Sequence, residues 1–176
     1  GRVAGRNKQF GVMEAAVASI DIGFGVMEEA VWVPKSVVDA VSRRSMRASS
    51  REAAVLAWLA SGGQVNATFE ECPEEEGSLR GTALMFSAEN GHSGLVDVLL
   101  QHGAEINQQD FEGMTPLMNA AYNGHPSLVL RLLQAGADPE PRCLSGTALQ
   151  MAKEKGHAEC VRTLEEHAAA EAATKK

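Results

Sequence analysis

Three histidines are the residues of this chain whose type and spacing first suggest metal chemistry. Each follows a glycine, in the pairs Gly91-His92, Gly124-His125 and Gly156-His157, and each lies ten residues after a threonine. The pairs recur after 33 and then 32 residues, which indicates repeated units that stack on one another. Ligands of one metal ion must lie within about 2.1 Å of it, whereas equivalent positions of stacked units lie a layer apart. We therefore predict that these histidines bond to neighbouring backbone and bind no metal.

The cysteines Cys72, Cys143 and Cys160 are the other candidates for chemistry. A cysteine nucleophile needs a neighbouring base and a lowered pKa, and the sequence offers no partner for the two cysteines expected in tips. Cys160 stands three residues after its Gly-His, where the other units have Leu95 and Leu128, so we expect it in the core. No CxxC pair, phosphate-binding loop or serine-hydrolase motif is present. We expect no enzymatic activity and no cofactor.

Composition and charge narrow the class of partner. The chain has 176 residues and a net charge of −7, so it lacks the basic face with which nucleic-acid-binding proteins neutralise phosphates. No apolar run is long enough to span a membrane. Three scattered cysteines indicate a reducing compartment. We expect an intracellular protein, cytoplasmic or nuclear, that binds neither nucleic acid nor membrane.

The repeated units define the elements that must position any site. Each unit is expected to hold a short helix, closed by the glycine of Gly-His, and then a longer helix with an apolar leucine-valine stripe. An atypical unit of two helices precedes the regular ones, and we expect Ser36 and Ser49 to be the N-caps of its helices. The whole repeat domain is placed at residues 34–168, with units at 34–66, 79–111, 112–143 and 144–168.

Three segments lie outside these units. Residues 1–33 contain a short duplication interrupted by glycines, which we expect to be poorly ordered; the alternative is one helix face that docks a partner. The acidic loop, residues 70–76, carries five glutamates around Pro73 and is expected to be a solvated insertion, or alternatively to steer a basic partner. The charged tail, residues 169–176, is alanine-rich and suited to extending the last helix.

The repeated motifs resemble the ankyrin repeat family. The segment Gly113-Met-Thr-Pro-Leu-Met-Asn-Ala-Ala-Tyr-Asn-Gly-His125, continued by Gly136-Ala-Asp138, carries the resemblance most strongly. Gly81-Thr-Ala-Leu84 and Gly146-Thr-Ala-Leu149, each followed by Gly-His, look like two further copies. The resemblance covers about residues 51–168. It implies an all-α ankyrin-repeat solenoid of stacked helix-turn-helix units with protruding β-hairpin-like tips, which acts through protein–protein contacts.

One departure from the family pattern recurs in every unit. Ankyrin repeats usually have a histidine after Thr-Pro-Leu that links to the threonine hydroxyl, and here those positions hold Met85, Met118 and Gln150. We expect this link to be absent or replaced by packing. The last unit also has Lys153 and Glu165 at formerly apolar stacking positions, which predicts a C-terminal capping unit whose outer face meets water.

The resemblance further implies that a partner is bound at the tips and on the concave face formed by the short helices. The residues expected to contact it are Leu79, Glu89, Asn90, Phe111, Glu112, Met114, Tyr122, Asn123, Leu144, Glu154 and Lys155. Tyr122 is the only tyrosine in the chain, and tyrosines often dominate the binding energy of interfaces. The alternative is that Phe111 and Tyr122 merely pack against adjacent tips.

The function expected from these observations is that of a monomeric adaptor, such as a signalling adaptor or scaffold, whose protein partner has a basic surface. Rigid tips would bind that partner with little ordering cost. One alternative is an ankyrin segment of a larger enzyme or channel, where it would regulate or recruit substrate, because the chain starts at Gly1. Another is a purely structural or inhibitory stub.

Overall fold

Eight helices and one two-stranded hairpin make up the part of the chain that this computed structural model describes, residues 33–42, 47–70 and 80–174. All of them belong to one compact unit, residues 31–176. The duplicated N-terminal copies, Cys72, Leu79 and the acidic loop after residue 70 lie outside the described residues. In chain order the elements are α1 (Lys35–Ser42), α2 (Ala48–Ala60), β1 (Thr68–Glu70), β2 (Arg80–Thr82), α3 (Ala83–Glu89), α4 (Ser93–Gln101), α5 (Pro116–Tyr122), α6 (Pro126–Gln134), α7 (Ala148–Glu154) and α8 (Ala158–Thr174).

The helices pair within each unit and stack in two layers. The first helix of each unit, α1, α3, α5 and α7 in turn, packs on the first helix of the next unit. The second helices form the other layer, in which α2 packs on α4 and α6 packs on α8. Between α4 and α6 the guanidinium of Arg131 bonds to the carboxylate of Asp97. This arrangement confirms the predicted all-α stack of helix pairs.

The hydrophobic core lies between the two layers and follows the predicted apolar stripe. Its members from α4 and α6 are at most 3% exposed, and burial of each such side chain stabilises the fold by about 1.5–3 kcal/mol. Cys160 is only 1% exposed and packs with them, so its predicted place in the core is confirmed. The stripe residues of α4 and α6 in this core are Leu95, Val96, Leu99, Leu128, Val129, Leu132 and Leu133.

Strands β1 and β2, which residues 71–79 connect, form an antiparallel hairpin. Thr68 pairs with Thr82, and Glu70 pairs with Arg80. The hairpin is held to the stack because Phe69 of β1 is buried against Phe86 of α3, with ring centroids 5.2 Å apart. The hairpin therefore packs on α3, the helix that directly follows β2.

The two N-caps expected in the first unit are wrong. Helix α1 begins at Lys35, because the carbonyl of Pro34 accepts the first backbone hydrogen bonds, from the N–H groups of Val37 and Val38. Helix α2 begins at Ala48, and its N-cap residue is Arg47, whose side chain makes no capping bond. Ser36 and Ser49 accordingly lie inside the first turns of these helices.

The last unit ends the stack with polar groups. Gln150, Lys153 and Glu165 are exposed, and the Lys153 ammonium lies 2.8 Å from a Glu165 carboxylate oxygen. Helix α8 runs on through residues 169–174 of the charged tail, as the high helix propensity of alanine favours. No helix in the described part of the chain is long and apolar enough to cross a membrane.

Candidate functional site

The Gly-His pairs join each unit to the one before it. His125 Nε2 lies 2.9 Å from the carbonyl oxygen of Glu89, and His157 Nε2 lies 3.0 Å from the carbonyl oxygen of Tyr122. A carbonyl oxygen can only accept, so Nε2 carries the proton in both bonds. Bonding of these two histidines to neighbouring backbone, predicted from their spacing, is confirmed. The bonds fix the ends of α3 and α5, which carry Glu89 and Tyr122.

The glycine of each pair leaves room for the histidine of the following unit. A Cβ atom added to Gly91 would lie 2.8 Å from the His125 ring, and one added to Gly124 would lie 2.6 Å from the His157 ring. Both glycines also have a positive φ, 74° and 71°, which residues with a side chain rarely adopt. The last glycine of the series, Gly156, has a similar φ of 75° but would meet no atom within 4 Å.

His92 has a different neighbour. Its two ring nitrogens each lie 3.0 Å from Nη1 of Arg51 in α2. The three histidines thus occupy separate layers, each tied to the unit before it. No group of three or more His, Cys, Asp or Glu side chains in residues 33–42, 47–70 and 80–174 is arranged to hold a metal ion.

The side chain at the position of the usual ankyrin histidine meets the threonine differently in different units. In the last unit Gln150 Oε1 accepts a 3.0 Å bond from the backbone N–H of Thr147, so an amide takes the place of the histidine. In the unit of Met85 the backbone N–H of Thr82 lies 3.5 Å from the thioether sulfur, a weak acceptor. In all three units, that of Met118 included, the backbone N–H at this position also donates to the threonine hydroxyl, at 3.3 Å. The link is therefore replaced by different chemistry in different units.

The tips are held by side chains that bond to backbone. Asn107 Oδ1 accepts from the N–H of Asp138 in the next unit, at 2.9 Å. Within the middle tip, Asp110 Oδ1 accepts from the N–H groups of Glu112 and Met114, at 2.9 and 2.8 Å. These bonds fix the turn that carries Phe111.

A groove of about 230 Å³ crosses the face formed by the short helices and tips of three successive units. Its floor contains Met85, Phe86 and Met151, which are buried except for the edge that meets the groove. Tyr122, 40% exposed, lines one side, and Lys155 Nζ lies 4.3 Å from its ring centroid. The complete lining is Arg80, Gly81, Met85, Phe86, Glu89, Asp110, Glu112, Met114, Asn119, Tyr122, Asn123, Ser145 and Met151. We refer to it as the short-helix groove.

Residues 45–143 match the family model described as Ankyrin repeats, in three copies. The chain belongs to the ankyrin repeat family. The match covers more than half of the chain and reaches back into the atypical first unit. The final unit, α7 and α8, lies beyond the matched residues but repeats the ankyrin helix pair. No curated protein sequence matches the chain.

Five of the residues predicted to contact a partner lie together in this ankyrin groove: Glu89, Glu112, Met114, Tyr122 and Asn123. Lys155 joins them through its contact with the Tyr122 ring. A cation over an aromatic face is worth about 0.5–1 kcal/mol at an exposed site. The groove therefore gathers about half of the predicted set.

Of the other predicted residues, those that the structure describes lie outside the groove lining. Phe111 and Leu144 are 72% and 96% exposed on neighbouring tips, and Glu154 is exposed at the end of α7. Asn90 Nδ2 donates to the carbonyl of Phe86 at 3.0 Å, so its amide stabilises the end of α3. Asn123 does the same for α5. Leu79 lies outside the described residues.

Sequence reasoning missed the positions that form the centre of the groove. Phe86, Asn119 and Met151 each stand four residues after the threonine that starts their short helix, and each lines the groove. Glu89 and Tyr122 stand three residues further on, which is the same face of a helix. The sequence therefore contained a signal for these residues, because the residue at the same position of each unit lines the groove.

The two described cysteines lie in different surroundings. Burial, and then the neighbouring Glu159 carboxylate, raise the pKa of the Cys160 thiol. The thiol accordingly stays protonated at neutral pH, whereas catalysis needs the thiolate. Cys143 is half-buried in the last tip, where its sulfur lies 3.3 Å from the N–H of Ser145.

Proposed function

We propose that this ankyrin repeat chain is an adaptor that binds a partner protein at its repeat tips and in the short-helix groove. Ankyrin repeats are in general protein-binding modules. The observation that carries the proposal is that three successive units contribute to one groove, in which a half-exposed tyrosine lies beside methionines. Tyrosine and methionine are enriched in protein interfaces.

Exposed apolar side chains beside the groove support the assignment of binding to this face. Phe111 and Leu144 project from neighbouring tips, and these tips touch, since a Cβ added to Gly113 would lie 3.4 Å from the Cα of Cys143. Large apolar side chains exposed together mark interaction sites more often than isolated ones do. The tip hydrogen bonds from Asn107 and Asp110 hold these side chains in place before a partner arrives, which lowers the ordering cost of binding.

We also propose that the chain binds as a monomer and does not catalyse a reaction. The protonated, buried thiol of Cys160 supports the absence of thiol chemistry. An intracellular location, cytoplasmic or nuclear, is part of the proposal. It is supported by Cys143 and Cys160, which form no disulfide within the described residues.

The experiment compares two double variants that each remove two exposed apolar side chains, from opposite layers of the stack. Phe111→Ala/Tyr122→Ala changes the tip and the groove. Leu56→Ala/Leu130→Ala is the matched control, because these leucines are 41% and 45% exposed on the second-helix layer. Tagged wild type and both variants are used for affinity capture from source lysate, read by quantitative mass spectrometry. Circular dichroism checks that all three are folded.

Proteins captured by the wild type and by the control, but lost with Phe111→Ala/Tyr122→Ala, would support the proposal. Hot-spot truncation of this kind costs about 2 kcal/mol or more, roughly a thirtyfold loss of affinity. Equal capture by all three proteins, or loss with the control alone, would refute the assignment of binding to this face.

A further inference from the structure

The short-helix groove has the size and lining for one long side chain. Its volume of about 230 Å³ is below the range of about 300–1,000 Å³ typical of small-molecule pockets. Met85, Met114, Met151 and Tyr122 are among its lining residues, and because Met85 and Met151 are each only 2% exposed, most of the apolar contact surface comes from Met114 and Tyr122. Methionines adapt their shape to an inserted chain. The aliphatic part of a partner side chain therefore has a complementary surface here.

The charges around that surface are mostly negative. The lining residues include three acids, Glu89, Asp110 and Glu112, and one base, Arg80. The one other cation that the structure describes at this face is the Lys155 ammonium over the Tyr122 ring, so three acids stand against two bases. The field at this face consequently favours a cation.

A cation of this chain already lies over the aromatic ring in the groove. Lys155 Nζ lies 4.3 Å from the ring centroid of Tyr122, which is within the range of a cation–π contact. A lysine or arginine from a partner would meet the same ring and the nearby carboxylates. Its aliphatic stem would cover the methionines while its charged end remains close to the acids.

We propose that the partner presents a basic segment and that one arginine or lysine of this segment inserts its side chain into the short-helix groove. The inserted stem contacts Met114 and Tyr122, and its charge pairs with the carboxylate side, where Glu112 is the most accessible acid. This inference rests on the proposed function, since it specifies the chemistry of the partner bound at the same face.

The test uses a random twelve-residue peptide display library, selected on the full chain at low salt. Recovered peptides are synthesised with a fluorophore, and their dissociation constants are measured by anisotropy. Two groove variants change charge in opposite directions: Glu112→Gln removes a negative charge and Lys155→Gln removes a positive one. Arg162→Gln and Glu166→Gln are matched controls, because this exposed pair lies on α8 outside the groove lining.

The proposal expects recovered peptides to share a basic residue whose replacement by alanine abolishes binding. It expects Glu112→Gln to weaken binding about twofold to threefold and Lys155→Gln to strengthen it by a similar factor, as for single charges about 8 Å apart near water. The two α8 controls should change it by less. Binding should also weaken as salt rises from low to physiological concentration.

Selection of neutral or acidic peptides, or of none, would overturn the proposal. So would basic peptides whose affinity does not respond to Glu112→Gln. If one of these results is obtained while Phe111→Ala/Tyr122→Ala still abolishes capture of a partner protein, the groove binds by another chemistry and the adaptor function stands. If that double variant has no effect either, the adaptor function at this face also fails.

Discussion

Replacement of Gly124 by alanine tests the contact that joins the units. The new Cβ would lie 2.6 Å from the ring of His157, so the ring must move and its 3.0 Å bond to the carbonyl of Tyr122 is lost. Loss of that bond is worth about 1 kcal/mol. The positive φ of 71° adds about 1–2 kcal/mol, because a residue with a Cβ is strained there. We expect Gly124→Ala to lower the free energy of unfolding by about 2–3 kcal/mol.

Two other glycines separate the backbone strain from the contact. Gly156 holds the same place in the last unit, and Gly136 lies in the same unit as Gly124; their φ angles are 75° and 92°, and neither would meet an atom within 4 Å. Alanine at either position should therefore cost only the strain, about 1–2 kcal/mol. The stabilities are compared by urea unfolding followed by circular dichroism, in which the transition midpoint should fall furthest for Gly124→Ala.

A double-variant cycle with His157→Ala isolates the pair. Removal of the ring should cost about 1 kcal/mol in the wild type and much less when Gly124 is already alanine, because the bond is then gone and the crowding is relieved. The coupling free energy should be about 1 kcal/mol. Equal losses for Gly124→Ala, Gly136→Ala and Gly156→Ala, with additive effects of His157→Ala, would refute the idea that Gly-His joins successive units.

Three further predictions concern other buried or capping groups. Ser87→Ala should raise the free energy of unfolding by about 1 kcal/mol in urea titration, because the Ser87 hydroxyl is fully buried and finds no partner among the described residues; a loss of stability would contradict this. Gln150→Ala should cost about 1 kcal/mol in the same assay, since it removes the amide that accepts from Thr147 N–H, and an unchanged midpoint would show that the cap contributes nothing. Because burial raises the pKa of the Cys160 thiol, its contribution to stability should be complete below the ordinary thiol pKa and lost as pH rises through the raised value. Urea midpoints from pH 7 to alkaline pH should fall more steeply for the wild type than for Cys160→Ala, and parallel curves would contradict the assignment.

Much of the fold could be predicted from local signals in the sequence. The threonine before each short helix and the glycine after it act within one turn of backbone, so Thr115 and Gly124 mark the ends of α5 without tertiary information. The apolar stripe that includes Leu128 and Leu132 follows from helical periodicity. The bond from His157 to backbone was predicted because one such histidine recurs in each unit, a spacing that does not suit the ligands of a single metal ion.

The first unit shows where local signals fail. A serine followed three residues later by an acid suggests an N-cap, yet the carbonyls of Pro34 and Arg47 accept the first helical bonds. Each of these residues lies two residues before the expected cap, so the helices begin earlier than Ser36 and Ser49 suggest. Several adjacent residues could serve as the N-cap, and the packing of the chain that enters the helix decides which of them does.

The groove could be predicted only in part, because its boundary depends on how neighbouring units are set side by side. Tyr122 and Glu112 were found from the position they hold in an ankyrin repeat. Met85 and Met151 were missed because they are nearly fully buried and still present an edge to the groove. Buried apolar residues look the same in the sequence whether or not a groove lies above them, so the sequence does not reveal which of them line it.

The most direct test of binding at the short-helix face is hydrogen exchange of the chain with and without a captured partner, read by mass spectrometry. Binding at this face should slow exchange at residues 105–115, which form the middle tip, and in α5, while α6 on the other layer is unchanged. Protection confined to α4 and α6, with residues 105–115 exchanging as in the free chain, would contradict it.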